Sequence, residues 1–274
     1  MFAGVVMTLV LFLTLSYFYA VVCQSFAPAS AWGDDGLGVD NATTPWGVLI
    51  NLYVFGMLII ALWATLVLVH DRSLLGMFGP LGLAVRQFKR VGLWLVGLYL
   101  VLSILPQPEP IQASPNLPFG QWVGFLPLAF LGLLIQTTAE EIVFRGYLQS
   151  QLAARFSHPA VWIGVPSAMF AMLHYAPLSA GENAWVLVVW AGLFGVAAAD
   201  LTARSGTLGP AIALHLVNNV SAILIAAPTG SFDGLALYTF PFSLDGDDTI
   251  WVWAPFDIMV LLCSWLTARL ALRR

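Results

Sequence analysis

The chain has 274 residues, of which 60% are hydrophobic and 9% charged, with a formal net charge of -4 and a mean hydropathy of +0.88. Soluble domains carry about 25% charged residues, so this composition excludes a soluble globular protein, and the absence of a basic surface excludes nucleic acid as a partner. Its two cysteines, Cys23 and Cys263, lie in the first and last apolar segments, which excludes a disulfide framework.

Apolar stretches long enough for a hydrocarbon layer of about 30 Å run over 2–23, 47–69, 91–105, 120–138, 159–175, 184–202, 208–227 and 250–268. The expectation is an all-α polytopic membrane protein with eight transmembrane helices and one membrane domain over 1–274. The first stretch lacks a basic region before it, and the Val-Val-Cys ending at Cys23 is a poor lipoprotein site, so it reads as an uncleaved anchor. The loop after the second stretch carries Arg72, Arg86, Lys89 and Arg90. Arg155 follows the fourth, Arg204 the sixth, and Arg269, Arg273 and Arg274 the eighth. The alternate loops hold Asp34, Asp35, Asp40, Glu109, Glu182, Asp233, Asp245, Asp247 and Asp248, and no Lys or Arg. The positive-inside rule then places both termini in the cytoplasm, and the compact loops suit a bacterial inner membrane. Residues 73–90, with Gly76, Gly79, Pro80 and Gly82 before a basic end, suggest an interfacial helix.

The fourth stretch ends in Glu140-Glu141-Ile142-Val143-Phe144-Arg145. Ionisable groups inside a membrane cost about 2.5 kcal/mol each or more and persist where they pair, line a wet cavity or do chemistry. Consecutive helical residues project about 100° apart, so the two carboxylates should have different tasks. Glu141 has Arg145 at i+4, with Thr137 and Gln149 on the same stripe, and can remain an ion held by a cation and hydrogen bonds. Glu140 has Gln136 and Phe144 as its i±4 neighbours and no cation on its own helix, which suits a general base. The fifth stretch carries Phe170 and His174, and the seventh carries His215 and Asn219 at i and i+4, on one face. With Ser157 as the turn of a hairpin, Glu140 and His174 lie level across it. His70 and His158 adjoin basic loops and read as interfacial, and Asp200 and Arg204 have the spacing of a helical ion pair.

Together EEIVFRG, FAMLH and HLVNN resemble the EExxxR, FxxxH and HxxxN patterns of the CPBP family of intramembrane proteases, which comprises CAAX prenyl endopeptidases and bacteriocin-processing (Abi) proteins. The resemblance covers 120–228, the catalytic core, and implies a conical or bundle-like helical core enclosing a polar cavity. It implies an endopeptidase that cleaves a membrane-anchored peptide or protein, with Glu140 and His174 activating water and His215 and Asn219 stabilising the oxyanion. Glu141, Arg145 and Phe170 support the site. The preferred reading needs no cofactor. In the alternative, Glu140, His174 and His215 hold zinc with a position open for water, although no HExxH motif is present. Two other functions use the same residues: a non-hydrolytic immunity or scaffold protein of that family, and a proton-coupled transporter, which should show repeats or broken helices. No internal repeat is found.

Overall fold

The computed structural model describes residues 1–34, 36–106 and 111–273; Asp35, Glu109 and Arg274 of the loop-charge pattern lie outside the described residues. Among these, helices stand in all eight predicted places. Helix α1 is Phe2–Phe26. The second rod is broken at Val54 into α2 (Pro45–Tyr53) and α3 (Phe55–His70). Thr44 accepts from Gly47 N and Pro45 fills the first turn, which satisfies the start of α2. Helix α4 is Leu81–Ser103. The fourth rod runs through α5 (Phe119–Glu141), a π-helical segment Ile142–Gln149 and α6 (Ser150–Ala153). Short helices α7 (Pro159–Trp162), α8 (Gly164–Met172) and α9 (Pro177–Ala180) follow. Helix α10 (Ala184–Ser205) stops at Gly206, whose φ of 70° supplies the left-handed cap. Helix α11 (Gly209–Asn219) continues as a second π-helical segment, Val220–Ile225, and α12 is Ile250–Leu272.

Among the described residues, five spans meet both the length and the composition needed to cross a bilayer: Phe2–Phe26, Pro45–His70, Phe119–Ala153, Pro177–Ser205 and Ile250–Leu272. The expectation of eight spans is therefore met in part. Pro159–Met172 and Gly209–Ile225 are shorter, and α4 carries Arg86, Lys89 and Arg90 in its first half. The separate interfacial helix expected before residue 91 is also corrected, because α4 starts at Leu81 and absorbs the basic stretch. Its Ala84, Val91 and Leu95 are buried while the cations stay exposed. The buried stripe fixes α4 against α11: a Cβ on Gly209 would stand 2.1 Å from the Ala84 carbonyl oxygen.

A small sheet, unforeseen in the sequence, ties three loops together. Strands β1 (Ser114–Pro115), β2 (Ala226–Pro228) and β3 (Tyr238–Phe240) lie in the order β1-β3-β2, with Ser114 and Ala227 both in register with Thr239. Pairing is antiparallel to β1 and parallel to β2. The main apolar core joins Leu62, Leu66, Phe170, Phe194 and Leu201 and wraps the polar cluster described next.

Candidate active site

Glu140 and Glu141 close α5, and Arg145 lies in the π segment beyond it. In a π segment the backbone bonds run i→i+5, a rare widening found mostly as single turns and frequently at functional sites. Here it changes which side chains share a stripe. Arg145 Nη1 donates to Glu141 Oε1 at 3.0 Å, as the i+4 spacing predicts, with both side chains buried. Gln149 does not join them; its Nε2 donates to the Ala199 carbonyl at 3.0 Å. Thr137 turns back to Leu133 O at 2.8 Å. The expected hydrogen bonds from Thr137 and Gln149 to Glu141 are thus replaced by bonds to backbone carbonyls. For Gln149 the cause is the wider turn.

Arg145 is held on three sides. Its Nη2 donates to Gly195 O at 3.3 Å, and its guanidinium lies 4.8 Å from the Phe170 ring centroid and 5.8 Å from that of Phe144. Phe170 meets Phe144 edge-on at 5.2 Å, so the phenylalanine of FxxxH is a floor under the cation. The close approach of α10 that brings Gly195 O there depends on that residue being glycine: a Cβ would stand 3.0 Å from Ser167 Cα in α8.

His215, buried in α11, resolves the divergence of the two carboxylates. Its Nδ1 is 2.8 Å from Glu141 Oε1 and its Nε2 is 3.4 Å from Glu140 Oε2. One imidazole therefore reaches both residues, one with each nitrogen, although their side chains leave the helix in different directions. Phe194 flanks the ring at 4.7 Å between centroids. With the Nδ1 proton donated to Glu141, Nε2 is the nitrogen turned toward Glu140.

Glu140 is buried, and its Oε2 accepts from Gln136 Nε2 at 2.8 Å. Gln136 Oε1 in turn accepts from Asn219 Nδ2 at 2.9 Å. Asn218 Nδ2 donates to Asn219 Oδ1 at 3.3 Å, and Tyr99 of α4 donates to Asn218 Oδ1 at 3.4 Å. Asn219 thus joins Glu140 through Gln136. Sequence reading noted Gln136 only as the i-4 neighbour of Glu140; its buried amide in an apolar helix was the signal available.

His174 follows α8. Its Nδ1 donates to the Phe170 carbonyl at 2.9 Å, the only direction possible because that oxygen can only accept, and this leaves Nε2 as the basic nitrogen. The ring rests on Phe170 at 4.6 Å and is within electrostatic reach of Glu140, with no direct hydrogen bond between the two. The level hairpin therefore brings them to one site without a direct hydrogen bond between them. His174, Asn218 and Asn219 are half-buried whereas Glu140, Glu141, Arg145 and His215 are buried, so the cluster opens on the side of the former.

Among the described residues, no three His, Cys, Asp or Glu groups gather as a metal's ligands do. The zinc alternative's set, Glu140, His174 and His215, is not among such groups; each imidazole gives Nδ1 to an oxygen acceptor, as a histidine that ligates through Nε2 also does. The other histidines have structural partners. His70 Nε2 meets the Tyr147 hydroxyl at 2.8 Å, and His158 accepts from Ala160 N at the start of α7. Asp200 pairs with Arg204 at 2.6 Å, as its spacing predicts, and also accepts from Trp265 Nε1 at 3.0 Å. Both cysteines are free.

Residues 122–221 match the family described as Type II CAAX prenyl endopeptidase Rce1-like. This segment is similar to the Rce1-like family. Every group of the cluster except Tyr99 falls within the matched residues. The match agrees with the CPBP resemblance of the three motifs, and the family is one of proteases acting at membranes. The chain is also 26% identical over 118 residues to an uncharacterized protein, YyaK, of Bacillus subtilis strain 168. That similarity covers 42% of this chain and 38% of YyaK, so the chain spans well under two thirds of that relative. No solved structure matches the chain.

Proposed function

We propose that this protein is an intramembrane endopeptidase that hydrolyses a peptide bond of a membrane-anchored peptide or protein, with 120–228 as its catalytic core. The observation that carries the reading is the cluster in which Glu140, Glu141, Arg145 and His215 are buried together among apolar helices. A buried charged network of this kind is costly to keep and is commonly functional.

In this reaction Glu140 takes a proton from a water shared with His174 as the oxygen attacks the scissile carbonyl carbon. The C–O bond forms, the carbonyl π pair moves onto oxygen, and Asn219 Nδ2–H and, in the doubly protonated imidazole, His215 Nε2–H donate to the resulting oxyanion. Glu140 then returns the proton to the leaving nitrogen as the C–N bond breaks. Glu141 and Arg145 fix His215 from behind. In this reading every step runs through this chain's own side chains. Both termini lie in the cytoplasm in this account, on the side carrying the basic loops.

The test compares membrane peptides in cells making wild-type protein with those in cells making Glu140→Gln. An uncleaved peptide that accumulates only with the variant gives activity and substrate together. Identical peptide sets at equal protein levels would favour the non-hydrolytic scaffold.

A further inference from the structure

We propose that Gln136 is a positioning residue of the site: its side-chain amide bridges Glu140 and Asn219, holding the base and the carbonyl-facing amide in one fixed relation. The proposal rests on the hydrolase reading for its chemistry and on the bridge itself for its geometry. Gln136 is buried, one turn before Glu140 on α5, and both ends of its amide are used, Nε2 on Glu140 at 2.8 Å and Oε1 on Asn219 at 2.9 Å.

The direction of the bridge is fixed by its neighbours. An ionised carboxylate only accepts, so Gln136 must turn its NH₂ to Glu140 and its oxygen to Asn219. Asn219 must then present its own NH₂ to Gln136, which leaves Oδ1 for Asn218 Nδ2 at 3.3 Å; Asn218 Oδ1 accepts from Tyr99 at 3.4 Å. Each link donates toward Glu140, from α4 through α11 to α5. Flipping any one amide sets two acceptors or two donors face to face, so the chain holds all of them in one orientation.

The consequence falls on Asn219. One Nδ2 hydrogen is bound to Gln136 and the other is left for a substrate oxygen. Without the Gln136 acceptor, Asn219 is free to rotate and turn Oδ1 toward the developing oxyanion, where it repels. Glu140 at the same time loses the donor that fixes its Oε2. The charged groups around Glu140, namely His215 from α11, His174 beyond α8, and Glu141 and Arg145 on its own rod, all approach from other positions and do not replace that donor.

The experiment uses the full chain in proteoliposomes and, as probe, an internally quenched peptide ending in a farnesylated Cys-a-a-X sequence. Wild type, Gln136→Met, Asn219→Ala and the double variant are compared. Gln136→Met should lower kcat by about 10²-fold, the cost of misplacing a catalytic group by about 1 Å, with KM within about twofold. The double variant should be little slower than Asn219→Ala alone. Wild-type kcat in Gln136→Met, or losses that multiply in the double variant, would overturn the proposal. Should Gln136→Met fail to fold, Gln136→Glu keeps the shape and places a carboxylate oxygen where the donor stood. It should also lose kcat with KM held, and wild-type turnover by it would count against the bridge. Thermal unfolding of the same four proteins separates the two layers of the argument. Melting-temperature losses that fail to add show the bridge even if no peptide is cut, in which case the hydrolase reading has failed and the geometry has not. Additive losses overturn the bridge whatever the activity.

Discussion

Glu140 and Glu141 are adjacent and chemically identical, yet their surroundings separate them. Glu141 is wholly buried and shares one oxygen between Arg145 and His215, whereas Glu140 Oε2 accepts from Gln136 and lies beside His215 Nε2. Substituting each partner should therefore give different failures. Arg145→Ala leaves Glu141 as an uncompensated buried charge, a loss of about 3 to 5 kcal/mol; thermal unfolding in detergent should show it as a large drop in melting temperature. Glu140→Gln keeps shape and most contacts, so the melting temperature should stay close to wild type. Equal destabilisation by both would mean that the charge cluster is only structural. At this scale the sequence was informative about who is present and less so about who touches whom. EExxxR and its ion pair were readable from i+4 spacing. The imidazole spanning both glutamates was not, because it joins α5 to α11 and depends on how two helices pack. The same holds for His174, level with Glu140 by residue count but turned to the Phe170 carbonyl.

Among the elements, two π-helical segments adjoin the site, Ile142–Gln149 after the glutamates and Val220–Ile225 after Asn219. Hydropathy patterns do not distinguish an i→i+4 ladder from an i→i+5 one, which is why Gln149 was expected beside Glu141 and lies against α10 instead. The three strands were equally hidden, since segments of two or three residues carry no alternation to read. The rods themselves were legible from apolar length, with errors where a basic face rides on a buried stripe, as in α4. Close packing of α10 on α8 at Gly195 supplies a further test. Gly195→Val should push these helices apart and remove the carbonyl from Arg145, at an overpacking cost of about 1 to 3 kcal/mol. A thermal shift measured together with peptide hydrolysis should show both falling. Unchanged values would mean that the α8–α10 contact does not position the arginine.

For the whole molecule, the segregation of Lys and Arg to alternate loops predicts its orientation. Single cysteines at Asp40 and Asp248, both exposed, should react with an impermeant thiol reagent from outside the cell, and one at Lys89 only after permeabilisation, in a background without Cys23 and Cys263. Lys89 suits this better than its neighbour Gln87, which ties α4 to the loop after α10 by accepting from Thr207 Oγ1 at 2.5 Å. The reverse labelling pattern would invert the topology. The three motifs come from separate rods and converge on one buried cluster, and the account stands on that cluster being a hydrolytic centre. The most direct measurement is turnover of the quenched farnesylated peptide by purified wild-type protein and Glu140→Gln in proteoliposomes. Wild type should cleave it, and the variant should be slower by about 10²- to 10⁴-fold, the contribution of a general base, with its melting temperature retained. Equal rates for the two proteins, or wild-type turnover no faster than in protein-free vesicles, would contradict the account.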